Sequence, residues 1–248
     1  MPLTQFQDNP FYIGCLIGLF FSFYLWTILD YFSRSRTNQR AFENLAHHLD
    51  FEFYESKWLF EKNGFALPAP VWPYRPRKPI FSMSPAWGCR NILKGARNGW
   101  DVLFLERAYQ DRDFKDIAET LVLYDRKNAH LPQMELVPRR LFDKFHRRLE
   151  LEIRTNPLTA KMVLIEAGDL GHFKRPSHYL WGELQDEPRI RELLTNDFWL
   201  YLERFPNWRL KAQADWLLVF EENIPVPPEK ILEFADQSAR AADFFFKN

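Results

Sequence analysis

Residues 91–106 read NILKGARNGWDVLFLE. An apolar stretch runs into Asn98-Gly99, and alternation resumes through Trp100, Val102 and Phe104. Asn-Gly supplies the two positive-φ positions that a tight two-residue turn needs, and a period of two turns one side of each arm toward a core, so this stretch is expected to be a β-hairpin. Everything downstream is read against that hairpin.

Two further apolar runs, TLVLYD at 120–125 and QMELVP at 133–138, are expected to join the same antiparallel sheet. RRLFDKFHRRLELEI at 139–153 places Leu141, Phe142, Phe145 and Leu149 on one stripe with basic residues opposite, the pattern of a helix covering a sheet. HYLWGEL at 178–184 is strand-like, and Pro188 opens a short helix, PRIRELL. Asn196 or Asp197 is the expected cap of the next helix, FWLYLERF, which Pro206 ends. NWRLKAQADWLLVFEE then reads as a second hairpin. The last helix is expected from about Pro228 to Phe246, with Ile231, Phe234, Ala235, Ala242 and Phe245 facing inward. Strands grouped with covering helices make an α+β domain over 86–248. The two hairpins, LKGARNGWDVLF at 93–104 and LKAQADWLLVF at 210–220, share a run of Leu-Lys-small, polar turn, Trp and apolar strand. That likeness allows a duplicated sheet-plus-helix unit with a boundary near 155–175.

The other end of the chain is different in kind. Residues 11–29, FYIGCLIGLFFSFYLWTIL, carry no charge, and a helix of that length spans a hydrocarbon core of about 30 Å. A transmembrane helix is expected over 11–32, after a short extracytoplasmic tail at 1–10. Tyr12 lies near one end and Tyr24, Trp26 and Tyr31 lie toward the other, where amphipathic rings favour the headgroup zone. No Lys or Arg precedes the run, which argues against a cleaved export signal. Tyr-Ile-Gly-Cys at 12–15 is a poor lipoprotein box because the apolar region follows the cysteine. Arg34, Arg36 and Arg40 follow the span, so the positive-inside rule puts the N-terminus outside and the domain in the cytoplasm of a bacterial inner membrane. Gly14, Gly18 and Ser22 share nearly one face, the spacing that lets a second helix approach closely, although glycine is common in membrane helices generally.

Between anchor and domain, residues 33–66 should form a juxtamembrane helix with Phe42, Leu45 and Leu49 on one face, then a first strand through Phe51 and Phe53. His47 and His48 are adjacent, about 100° apart on a helix, and cannot both ligate one metal. A proline-rich connector is expected over 67–85. Pro70, Pro73, Pro76 and Pro79 recur every third residue, so a polyproline II rod would align them on one edge, with Arg75, Arg77 and Lys78 on the others. Such an edge suits an aromatic-lined groove on a partner, but a stiff connector laid over the domain is the plainer reading.

Composition narrows the function classes. Lys and Arg total 33, as do Asp and Glu, and this balance excludes a general field for nucleic acid. Aromatic residues make up 17% of the chain while Gly numbers 9, which suits a dense core rather than a disordered scaffold. The two cysteines, Cys15 and Cys89, fall in and far beyond the apolar run, so no disulfide framework is expected. The sequence contains no glycine-rich phosphate loop, Cys-x-x-Cys pair, His-Glu-x-x-His helix or nucleophile elbow, and no cofactor is expected. Asp111, Asp113 and Asp116 lack the glycine and distal glutamate of a calcium loop. The strongest polar cluster is EAGDLGHFKRPSHY, which gathers Glu166, Asp169, His172 and His178. His172 and His178 are its weak metal candidates, though the spacing matches no usual ligand set and a loop with Gly168, Gly171 and Pro176 attracts polar residues anyway.

In order along the chain, RNILKG at 90–95, PQMELVPRRLFDKF at 132–145, HYLWGELQDEPRIRELLTNDFWLYLERFPNW at 178–208 and ADWLLVFEENIPVPPEKILEFADQSARAADFFF at 214–246 resemble an uncharacterised family of bacterial proteins with a membrane anchor and a soluble α+β domain. The family's strand ending Arg-Tyr-x-Leu-x-Gly is matched by His178 to Gly182, and its Gly-Trp-x-Val-Glu pattern, with departures, by Asn207 to Lys211. The resemblance implies architecture and topology, and no catalytic residues. The sequence reading is therefore a single-pass inner-membrane protein whose cytoplasmic domain binds another membrane or cytoplasmic protein, or which self-associates through its membrane helix, as an accessory, adaptor or assembly subunit. The alternative is a membrane-anchored enzyme or small-ligand or metal receptor using the Glu166–His178 region.

Overall fold

The computed structural model describes residues 10–68, 88–110, 116–139, 161–165, 177–221 and 224–246. Helix α1 runs from Pro10 to Leu49. Strand β1 (Glu52–Ser56) and helix α2 (Lys57–Lys62) follow. Next come β2 (Gly88–Arg97), β3 (Trp100–Gln110), β4 (Asp116–Asp125), β5 (Leu131–Pro138), β6 (Val163–Ile165) and β7 (His178–Gly182). The chain then forms α3 (Glu187–Leu193), α4 (Asn196–Leu202), β8 (Trp208–Ala214), β9 (Trp216–Glu221) and α5 (Ile231–Phe246).

The strands form one nine-stranded sheet in the order β1-β2-β3-β4-β9-β8-β5-β7-β6, and every described pairing is antiparallel. The 91–106 hairpin is present as expected: Arg97 pairs with Trp100 across Asn98 (φ 55°) and Gly99 (φ 80°), the left-handed pair of a type I′ turn. A β-bulge lies between Arg90 and Leu93, where Asn91 has φ 50° and its side chain donates to the Glu106 carboxylate at 2.7 Å.

Both faces of the sheet are covered, which explains strands as continuously apolar as LVLY and WLLVF. One face carries the end of α1 together with α3, α4 and α5 over Leu93, Phe104, Val122, Leu136, Leu180, Leu210 and Val219. On the other, Phe60 of α2 packs with Ile92, Leu103, Leu105, Leu121, Leu123 and Leu218. Ile231, Phe234, Ala235, Ala242 and Phe245 are all buried, as the last helix's periodicity predicts. The N-cap of α4 is Thr195, whose Oγ1 accepts from the Phe198 amide at 3.4 Å, instead of Asn196 or Asp197. Thr195 keeps the extended backbone of a cap, while the two residues after it are already helical.

The segments expected as a membrane helix over 11–32 and a juxtamembrane helix from 33 lie in a single helix; α1 is continuous over 40 residues, about 60 Å. Its sequence offers no Gly or Pro between Ser22 and Leu49, so nothing interrupts the hydrogen-bond ladder. It ends where Asp50 turns to φ 57° and the Phe51 amide donates to the Ala46 carbonyl at 2.9 Å, a Schellman-type stop. Among the described residues, no helix is long and apolar enough to cross a membrane. The two similar hairpins take unlike places, β2–β3 toward one edge and β8–β9 in the middle, and β5 from before residue 155 lies between β7 and β8 from after 175. The sheet-covering helix expected at 139–153 and the connector expected at 67–85 lie outside the described residues, apart from Arg139 just after β5 and Leu67 and Pro68.

Candidate functional site

Among the described side chains, α1 meets the domain through its C-terminal end. Phe42 is fully buried and meets Phe104 edge-on at 5.3 Å, with Leu45 and Ala46 buried beside it. A polar clasp lies next to this contact: Asn38 Nδ2 donates to Glu106 Oε1 at 2.9 Å, and Arg90 Nε donates to Glu106 Oε2 at 3.1 Å. Glu106 is itself buried, so these donors replace the water its carboxylate loses. Farther up the helix, every described side chain from Leu19 to Trp26 is exposed, among them Phe20 at 75%, Phe21 at 69% and Trp26 at 62%. Gly14 belongs to the same helix, Ser22 is exposed, and a methyl group built at Gly18 would meet nothing within 4 Å.

A second surface feature lies on α4 and α5. Thr195, Asp197, Tyr201 and Arg204 on and around α4 line a groove of about 480 Å3 with Arg240, Asp243 and Phe244 of α5. Asp197 and Tyr201 stand at i and i+4 on one face of α4, and Arg204 follows in the turn after Leu202. Tyr201 forms the floor: its hydroxyl donates to the Gln237 carbonyl at 2.7 Å, and its ring lies 5.6 Å from Phe244 and 5.1 Å from Phe205. Burial pushes the Tyr201 phenol up to about 12, against the pull of the Arg240 and Arg204 guanidiniums, so it stays a neutral donor. Arg97, Arg107, Arg191 and Arg209 each meet a carboxylate. Arg204 and Arg240 meet none among the described residues.

Ion pairs also cross the sheet face opposite the α4–α5 layer. Arg107 Nε donates to Glu119 at 2.6 Å, Arg209 Nε to Glu135 at 2.5 Å, and Lys211 reaches Glu135 at 3.4 Å. The Phe220 ring lies 4.9 Å from the Arg107 guanidinium and 5.9 Å from that of Arg209. Arg107, Glu119, Glu135 and Arg209 are all buried, so each charge needs the partner it has. Their chemistry is that of a register lock, since a one-residue slip of β3 against β4 would part Arg107 from Glu119.

Pro70, Pro73, Pro76, Pro79, Arg75 and Arg77 lie outside the described residues, as do Glu166, Asp169 and His172. His178 is fully buried at the start of β7. Its Nε2 donates to the Trp208 carbonyl at 2.7 Å, which leaves Nδ1 to accept from the Ser177 hydroxyl at 2.7 Å. Burial lowers its pKa to about 4 although the Trp208 bond pulls the other way, so the ring is neutral and both nitrogens are occupied. Among the described residues, no three His, Cys, Asp or Glu side chains are placed to hold a metal. Cys89 is buried, and burial pushes its thiol up to about 12, far from a nucleophile's range.

No family model matches the chain, and no curated protein matches it in sequence. Among solved structures it is similar to the mycobacterial trehalose monomycolate transport factor A, at 15% identity and a TM-score of 0.49, over 86% of this chain and 94% of that one. A likeness at that identity and score carries no function across.

Proposed function

We propose that the protein is a single-pass inner-membrane protein, N-terminus outside, whose cytoplasmic domain binds another protein as an accessory, adaptor or assembly subunit. The observation that carries this reading is the division of labour along α1. Its last turns are core, while Leu19, Phe20, Phe21, Phe23, Tyr24, Leu25 and Trp26 are between 50% and 75% exposed. Leaving a large apolar side chain in water forgoes about 1.5–3 kcal/mol each, and seven along one helix call for a lipid or protein cover. The uncharged sequence 11–29 surrounds these residues and Arg34, Arg36 and Arg40 follow it, the flank a cytoplasmic exit requires. From Leu29 to Phe42 the helix adds 13 residues, about 20 Å, so it would hold the domain off the bilayer as a stiff arm. The open space at Gly18 leaves room for a neighbouring helix.

Crosslinking in native membranes, followed by gentle detergent solubilisation and purification, tests the adaptor role. One partner recovered reproducibly in proportion to the protein is expected. A chain that purifies alone under those conditions contradicts the reading.

A further inference from the structure

We infer that the α4–α5 face is self-complementary and pairs two copies of this chain about a two-fold axis. The argument begins with the placement of charge. Asp197 lies in the first turn of α4 and Arg204 in the turn just past its last residue, Leu202, with the Tyr201 floor between them. The second helix repeats the order. Phe198 meets Phe244 at 5.5 Å and Tyr201 bonds to Gln237, so the two helices run antiparallel. Asp243 then lies toward the Asp197 end and Arg240 toward the Arg204 end. The groove therefore has an acidic pole, an aromatic centre and a basic pole, with no net charge.

That pattern selects its occupant. A uniformly acidic partner satisfies Arg204 and Arg240 but is repelled by Asp197, and a uniformly basic one meets the reverse penalty. A second copy turned through a two-fold presents its basic pole to the first copy's acidic pole, and the opposite contact follows by symmetry. The face also carries a projection beside its hollow. Leu200, 55% exposed, is i+3 from Asp197 and i−4 from Arg204 on the same side of α4, placed to enter the partner's groove. The surface is one face of the seven-residue α4 and part of α5, so the dimer falls at the small end of specific interfaces and forms reversibly. This pairing stands independently of where α1 resides.

Sedimentation equilibrium of the full chain in density-matched detergent, from low to high micromolar, measures it. The wild type is expected to move between monomer and dimer. Arg204→Asp alone and Asp197→Arg alone should each weaken the dimer at least about tenfold, because like charges then face each other twice. Mixing the two variants restores every opposite-charge contact, so they should pair with each other at wild-type strength; the chain carrying both substitutions should also dimerise. Both residues replaced in this scheme are exposed, and matching circular dichroism melts confirm that the variants are folded. A wild type that stays monomeric to high micromolar overturns the inference. So does a dimer that ignores the charge reversals, which would place the contact elsewhere, along α1 for instance.

Discussion

Replacing the buried imidazole of His178 with a group that does not titrate should remove a defined part of the protein's acid sensitivity. The ring is held neutral between the Ser177 hydroxyl and the Trp208 carbonyl, and burial lowers its pKa from 6.5 to about 4. The unfolded chain takes up the proton near pH 6.5, whereas the folded chain resists it until about pH 4. Stability from this group is therefore complete above pH 6.5 and declines as the pH falls toward 4. The shift corresponds to about 3 kcal/mol in full, of which about 2 kcal/mol is lost by pH 5. Glu221, whose carboxyl burial raises, contributes with the opposite sign, so wild type and variant must be compared at each pH. Denaturant unfolding of the full chain in detergent, between pH 7.5 and 4.5, for wild type and His178→Gln provides the comparison. The variant starts less stable, and the gap should narrow by about 2 kcal/mol between pH 7 and pH 5. A gap that stays constant, or an imidazole resonance titrating near 6.5 in the folded protein, refutes the burial argument.

Gly95 faces the Phe51 ring, and an added Cβ would lie 2.1 Å from Phe51 Cδ1, so Gly95→Ala should cost about 1–3 kcal/mol by denaturant melting, relieved in part by Phe51→Leu. Phe42→Ala removes a fully buried ring that seats α1 on Phe104 and should cost about 3–5 kcal/mol, with faster amide exchange at 38–49 than in the sheet. Glu119→Ala takes the carboxylate from a guanidinium buried with it and should cost about 3–5 kcal/mol, while the double change Arg107→Met, Glu119→Leu should recover most of that; equal costs would contradict the register-lock account.

The elements that declared themselves in sequence are those fixed by local chemistry. Asn98-Gly99 has few conformations other than a type I′ turn, and Ile231, Phe234, Ala235, Ala242 and Phe245 repeat at helical spacing, so both elements were legible. The continuity of α1 was not, because Asp30 and the arginines after it mark the end of an apolar stretch without marking the end of a helix. The strand order was also hidden, since the insertion of β5 between β7 and β8 is decided by pairing between residues far apart in the chain, 44 for Leu136 with Leu180 and 83 for Leu131 with Ala214. His178 drew notice by the polar residues near it in sequence, yet its decisive partner is the Trp208 carbonyl thirty residues on. The groove itself had no motif, but the exposed face beside it left a faint signal: FWLYLERF holds more apolar residues than one buried stripe accommodates, and Leu200 is the one left outside.

Alkaline extraction of native membranes separates a spanning α1 from one that lies at the surface. The full chain should stay in the membrane pellet at high pH, as a spanning helix does. A variant with Leu19, Phe21 and Phe23 each changed to Lys should appear in the supernatant, with its domain still folded by circular dichroism. A wild-type protein released by alkali, or a triple variant retained as firmly as the wild type, would contradict the account.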